Sequence, residues 1–231
     1  MSPAMAPVLG VLGGMGPLAT ADFYQRLIAL AGASRDQDHL PVIICADPRI
    51  PDRTQALFEH REGEVLSALL TQVARLEGAG AGAIAIPCNT AHHWLGQLSA
   101  RTPLPFLSMP EAVMDKLARA SPEARRVAIL ATRGTVRADV YGEALARRGL
   151  LACPLSDRVQ QRVDATIAAV KSGRTEAASL DLGEAIRFAL EEGEADAVLL
   201  ACTELPIAAR TLAARPGLRT PLIDTTLALA E

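Results

Sequence analysis

One pattern occurs twice in this chain, and it limits the fold more than any other feature. Ala83-Ile84-Ala85-Ile86-Pro87 runs into Cys88 and then Asn89-Thr90, while Ala197-Val198-Leu199-Leu200-Ala201 runs into Cys202 and then Thr203-Glu204. Each is a short apolar run, a thiol, and polar residues that open an amphipathic stretch. Such a run fits a strand buried on both faces, and the polar residues fit the N-cap of the next helix. A thiol so placed lies at the carboxyl end of a strand, where open α/β sheets hold their ligands. It also lies beside a helix N-terminus, whose partial positive charge favours thiolate. Two such thiols on one pocket would form a pair of acid/base groups.

The halves match elsewhere. Val11-Leu12-Gly13-Gly14-Met15-Gly16 leads into Asp22, and Ile129-Leu130-Ala131-Thr132-Arg133-Gly134 leads into Asp139. The Asp-to-Asp offset is 139 − 22 = 117 and the Cys-to-Cys offset is 202 − 88 = 114, near enough to expect a duplicated αβ unit. Strand-like runs cover 8–12, 41–46, 82–87, 105–107, 126–131, 196–201 and 221–223. Helical patterns begin at Pro17 and then cover 55–77, 90–99, 110–120, 136–148, 157–172, 176–192 and 204–213. This alternation is the signature of βαβ units and a parallel sheet. The expected fold is therefore α/β, with two pseudo-symmetric lobes, each a mostly parallel sheet flanked by helices, and a site in the cleft between them. Residues 1–108 are assigned to the N-terminal lobe, completed by 209–231, and 109–208 to the C-terminal lobe.

Composition narrows the classes of function. Half of the 231 residues are hydrophobic and 21% are charged, which suits a globular core and not a disordered chain. A net charge of −3 gives no reason to expect a nucleic acid or an anionic membrane as partner. No apolar stretch is long enough to span a bilayer, and the N-terminus lacks a basic segment followed by an apolar export core. None of the four cysteines (45, 88, 153 and 202) shows metal-finger spacing, and there is no CxxC. The expectation is no metal, reduced thiols and a cytoplasmic location. Cys45 and Cys153 read as buried small hydrophobes.

Two loops carry further signals. Residues 14–19 formally satisfy GxGxxA, and Asp36 lies near the spacing at which a dinucleotide fold places its ribose-binding acid. That is the signature of an NAD-dependent dehydrogenase, yet Asp36 sits in a polar loop before the second strand and not at that strand's end. The other readings are a tight glycine turn and backbone N–H groups that bind a small anion such as a carboxylate; the last is preferred. Asp47-Pro48-Arg49-Ile50-Pro51-Asp52-Arg53-Thr54 follows the second strand. Its prolines stiffen the loop, Asp52 or Thr54 can cap a helix, and Arg53 offers a planar fork for a carboxylate.

Taken together, Gly13-Gly14-Met15-Gly16-Pro17-Leu18-Ala19-Thr20, Pro51-Asp52-Arg53-Thr54, Pro87-Cys88-Asn89-Thr90-Ala91-His92 and Cys202-Thr203-Glu204-Leu205-Pro206 resemble the aspartate/glutamate racemase family, in family order and over essentially the whole chain. The likeness is to the aspartate racemase branch. Glutamate racemases of cell-wall synthesis open with an Asp-Ser-Gly type loop and carry His after the second Cys-Thr, where this chain has Gly13-Gly14 and Glu204. The resemblance implies an isomerase that needs no cofactor, acts on a small amino acid, most of all aspartate or glutamate, and forms a homodimer. It makes Cys88 and Cys202 the catalytic bases. It places Met15, Gly16, Asn89, Thr90, Thr203 and Glu204 at the substrate, Arg53 at the side-chain carboxylate, and Lys171 near the cleft. His92 is read as structural support.

The chemistry explains the need for two thiols. Racemisation removes a proton from one face of Cα and returns one to the other, so a thiolate abstracts while the opposite thiol donates. A free thiol titrates near 8.5 and needs a modest lowering to act as a base at neutrality; helix N-termini with Arg53 or Lys171 are expected to supply it. Donors from Asn89, Thr90 and the backbone would stabilise the carbanion. Alternatives are a hydantoin racemase, a diacid isomerase or a decarboxylase of the same superfamily, the dehydrogenase above, and a two-lobed binding module.

Overall fold

The computed structural model describes residues 7–210, 212 and 220–231. The first half contains β1 (Leu9–Gly13), α1 (Pro17–Leu30), β2 (Val42–Ala46), α2 (Arg53–Phe58), α3 (Glu62–Gly78), β3 (Ala83–Ala85), α4 (Leu95–Ser99) and β4 (Phe106–Leu107). The second contains α5 (Met109–Ala120), β5 (Arg126–Ala131), α6 (Arg133–Arg137), α7 (Gly142–Arg147), β6 (Leu151–Ala152), α8 (Asp157–Lys171), α9 (Thr175–Gly193), β7 (Ala197–Ala201), α10 (Leu205–Ala209), β8 (Leu222–Asp224) and α11 (Thr225–Ala230).

The strands form two four-stranded parallel sheets with one topology, β2-β1-β3-β4 and β6-β5-β7-β8. All seven expected strands are present. The eighth, β6, is a two-residue edge strand exposed at both positions, too short to give a periodic signal. The central strands explain why the apolar runs are unbroken. β1 and β7 are buried at all five positions, and helices cover both faces of a parallel sheet. In both sheets the strand that precedes the cysteine, β3 or β7, lies beside the first strand of its lobe.

Three expectations need correction. The helices expected over 55–77 and 136–148 are each broken, at His60 (φ 57°) and Asp139 (φ 46°), residues in left-handed conformations that end one helix before the next begins. Asp22, in contrast, is buried within α1, so the Asp22/Asp139 match reflects no shared local structure. The C-terminal segment does not complete the first sheet. Leu222–Asp224 pairs with β7 of the second sheet, while α11 packs against α5 and α1. Of the helix expected over 204–213, Leu205–Ala209 is helical, and residues 211 and 213 lie outside the described residues.

The lobes are not separate globules. One hydrophobic cluster takes Leu9, Val11 and Ala85 from the first sheet, Val127, Ala131 and Leu199 from the second, and Met109, Val113 and Leu117 from α5. Each large side chain so buried contributes about 1.5–3 kcal/mol, and this shared core fixes the lobes relative to each other. A second weld lies at Gly134, where a Cβ would stand 2.6 Å from Thr54 Oγ1 and 2.8 Å from Thr54 Cα. Only glycine permits that approach of α6 to α2.

Candidate active site

Where the two lobes meet, a cavity of about 30 Å³ is lined by Met15, Asp52, Arg53, Thr54, Cys88, Asn89, Thr90, Thr132, Lys171, Cys202, Thr203 and Glu204. That is room for about two water molecules. Nine of the ten residues singled out in the sequence line it. Gly16 does not, but it backs Glu204, with space for a Cβ 3.6 Å from Glu204 Oε1.

Each lobe delivers one thiol by the same route. Cys88 follows β3 through Ile86-Pro87, and Cys202 follows β7 directly; they are 5% and 6% exposed. Their surroundings differ. The Cys202 thiol donates to Glu204 Oε2 at 3.0 Å, and the Thr203 hydroxyl donates to the same oxygen at 3.4 Å. Burial pushes the Cys202 thiol well above its ordinary value, and the charge and hydrogen bond of Glu204 push it the same way; the Glu204 amide and the Lys171 ammonium act in the opposite direction. The expected lowering is therefore reversed at this cysteine. α10 has only five residues, and a carboxylate stands against the sulfur.

Arg53 provides a fixed positive charge. Asp52 caps α2 by accepting Gln55 N–H at 2.8 Å, which sets Arg53 at the first helical position. Its guanidinium is held by neutral carbonyls alone: Nη1 donates to Ile50 O (3.3 Å) and Pro51 O (3.1 Å), and Nη2 donates to Met15 O (3.4 Å). Nε is buried without a partner, and among the described residues no carboxylate pairs with this side chain. A buried donor left unmatched costs about 1–3 kcal/mol, so the arrangement favours an anionic ligand.

Asn89 and Thr90 join the lobes. Asn89 Oδ1 accepts from the Tyr141 hydroxyl, and Asn89 Nδ2 donates to Thr225 Oγ1 at 3.2 Å. The Thr90 hydroxyl shares hydrogen bonds with Thr132 (3.0 Å) and Thr135 (2.8 Å). Thr132, which also caps α6 by accepting Thr135 N–H at 3.1 Å, was not singled out in the sequence. Its signal was available, because the repeat aligns it with Gly14 at the matching strand end. Thr54 belongs to the Pro51-Asp52-Arg53-Thr54 motif but was read only as a possible helix cap, and Tyr141, Thr135 and Thr225 carried no such signal; tertiary packing brings them here.

His92 supports Cys88 from behind. Its Nε2 accepts Met109 N–H at 3.1 Å, which leaves the proton on Nδ1 to be donated to Cys88 O at 2.9 Å. Burial lowers the titration of this ring and keeps it neutral.

The glycine loop has a structural use. Gly14, at φ +91°, would place a Cβ 2.5 Å from the Asp47 backbone, and its N–H donates to Thr20 Oγ1 at 2.9 Å. That amide is thus unavailable to an anion. Asp36 lies in a short 3₁₀ turn, Asp36–Asp38, ahead of β2.

Two like-folded α/β lobes each bring a thiol to one small polar cavity beside an arginine that no carboxylate neutralises among the described residues, the layout of a two-lobed α/β protein with its site at the seam. The chain belongs to the Asp/Glu/hydantoin racemase family, whose family model matches residues 12–231. It is 28% identical, over 230 residues, to the broad specificity amino-acid racemase RacX of Bacillus subtilis, covering 97% of this chain and 95% of that protein. The Picrophilus torridus aspartate racemase superposes with a TM-score of 0.81 and 31% identity, covering 97% of this chain and 91% of that one. A glutamate racemase from Francisella tularensis, in complex with D-glutamate, matches with a TM-score of 0.67 and 18% identity, a likeness of fold alone. The protein is thus an isomerase, and the dehydrogenase reading of the glycine loop is overturned. Among the described residues no helix is long and apolar enough to cross a membrane.

Proposed function

We propose that this protein is a cofactor-independent racemase of acidic amino acids, aspartate or glutamate, which moves the α-proton between Cys88 and Cys202. The observation that carries this reading is the presence of both thiols on the one cavity that also holds Arg53. The substrate's side-chain carboxylate pairs with Arg53 and occupies its orphaned Nε–H. Lys171, Thr203, Asn89 and Thr90 take the α-carboxylate and ammonium, and Met15 closes the first-lobe wall. One cysteine, as thiolate, removes the Cα proton; the other, as thiol, returns a proton to the opposite face, and the pair exchanges roles on the return reaction. The carbanion's charge falls on the α-carboxylate, where fixed donors act most strongly.

The test is enantiomer-resolved turnover of acidic and neutral amino acids in deuterium oxide. Interconversion of D- and L-aspartate or glutamate, with one solvent deuteron at Cα of the product, is the expected result. Turnover of neutral amino acids at equal efficiency would remove Arg53's role, and absence of α-exchange with every substrate would remove the reading altogether. A homodimer in the cytoplasm belongs to the same proposal. It is supported by the exposed Leu18, Tyr24 and Ile28 of α1 and by four free cysteines, and sedimentation tests the stoichiometry.

A further inference from the structure

The duplicated framework presents two cysteines in like positions, but the residue two places beyond each differs in charge. After Cys88 stands Thr90, a neutral group whose hydroxyl is engaged by Thr132 and Thr135. After Cys202 stands Glu204, 5% exposed, with Oε2 3.0 Å from the Cys202 sulfur. Among the described residues no carboxylate hydrogen-bonds Cys88, and no cation forms an ion pair with Glu204. A buried carboxylate that accepts only a thiol and a hydroxyl holds those protons firmly, because a thiolate formed beside it would set two negative charges in contact.

We infer that Glu204 locks the proton on Cys202, so that the resting enzyme holds Cys202 as the acid and leaves Cys88 as the group that must first act as base. This assignment rests on the two-thiol reading and adds an order to it. The charged groups around Cys202 agree with the lock. Lys171 at the end of α8 favours thiolate and Glu204 opposes it, with desolvation on the side of Glu204. Arg53 reaches the cavity from the first lobe but is bound to carbonyls there, and Tyr141 behind the site is kept neutral by burial. In the first turnover the Cα–H bond breaks with its proton going to the Cys88 thiolate. The Cys202 S–H bond then breaks as its proton forms the new bond on the other face of Cα. The negative charge thus passes from Cys88 to Cys202, beside Glu204, where it is least stable. The free enzyme therefore returns to its resting form by moving one proton from Cys88 to Cys202 through solvent. Glu204 touches a reacting sulfur and so belongs to the catalytic machinery, in a role different from the substrate contact that the family resemblance implies.

The test is infrared spectroscopy of the full-length protein without substrate at pH 7–9. A difference spectrum between wild type and Cys202→Ser isolates the Cys202 S–H stretch with no change at position 204. The expected result is a band present across that range, displaced to low frequency by its charged acceptor relative to the Cys153 thiol. No protonated-carboxyl band should belong to Glu204. In Glu204→Gln the S–H band should move to higher frequency and disappear on titration at least one pH unit earlier, a tenfold rise in thiolate at fixed pH. Absence of the S–H band at pH 7, a protonated Glu204 carboxyl, or a band unmoved in the Gln variant would each overturn the lock. If Cys88→Ala and Cys202→Ala both keep racemase activity, the two-thiol reading fails whatever the spectrum shows. If both lose it while the band is unmoved by Glu204→Gln, only the lock fails.

Discussion

The two lobes share a topology and diverge at the cavity. β3 and β7 occupy the same place in their sheets and each leads to a cysteine, yet the first lobe follows its cysteine with the neutral Asn89 and Thr90 and adds Arg53, while the second sets Glu204 against its thiol and adds Lys171. Gly14 and Thr132 also stand at equivalent strand ends. One is a close backbone approach with φ +91°, the other a cap with a side chain in the cavity. The repeated frame supplies two strand ends on one cavity, and divergence at pairs such as Thr90/Glu204 and Gly14/Thr132 makes its two sides chemically unlike.

The sharpest way to break that comparison is at the thiols. Cys88→Ala and Cys202→Ala should each reduce racemisation by about 10²–10⁴-fold or more, the usual contribution of a positioned acid or base, measured by chiral chromatography. An effect at only one cysteine would make the lobes unequal partners and point to one-sided proton chemistry. Next in size is Arg53, with which no carboxylate pairs among the described residues. Arg53→Gln should weaken use of aspartate or glutamate by about 1.5–3 kcal/mol, or ten- to a hundredfold in kcat/KM, and should affect neutral amino acids far less.

The paired strand ends allow a stability comparison. Gly14→Ala meets both a left-handed φ and the Asp47 backbone, and should destabilise by about 1–3 kcal/mol in a urea titration. Thr132→Ala removes a cap and should cost about 1 kcal/mol, with its larger effect on KM through the released Thr90. Equal losses would mean that the first loop is less tightly fixed than the structure indicates.

The smallest effect concerns His92. Burial holds its folded titration below the ordinary value near 6.5, so the unfolded chain takes up a proton first as pH falls. The stability this neutral ring provides is complete above about pH 6.5 and declines as pH drops towards the lower folded value. Thermal melts of wild type should fall across that window, and His92→Gln, which has no such proton to take up, should show a shallower decline.

Much of the fold was legible because buried parallel strands must be apolar on both faces. Val11-Leu12, Ala83–Ile86 and Ala197–Ala201 therefore stood out, and their repetition announced two lobes. The breaks at His60 and Asp139 were hidden, since His and Asp enter the left-handed region more readily than most side chains but far too seldom to mark a turn as glycine does. β6 was hidden because two exposed residues carry no period. The membership of Leu222–Asp224 in the second sheet was a question of pairing partner, which an apolar triplet does not specify.

At the site, chain order placed Cys88, Asn89, Thr90, Cys202, Thr203 and Glu204 at strand ends, because the position of a residue after a strand is a local property. The family likeness put Lys171 near the cleft, and only the folded molecule brought Thr54 from α2 and Thr132 from the turn after β5 to the same cavity, with Tyr141 and Thr225 behind it. It also decided that Glu204 faces a thiol. The reason is physical: type and spacing along a chain determine which elements form and where their ends lie. The charge felt by a sulfur depends on burial and on neighbours within about 3–4 Å, distances that exist only once both sheets close on their shared core.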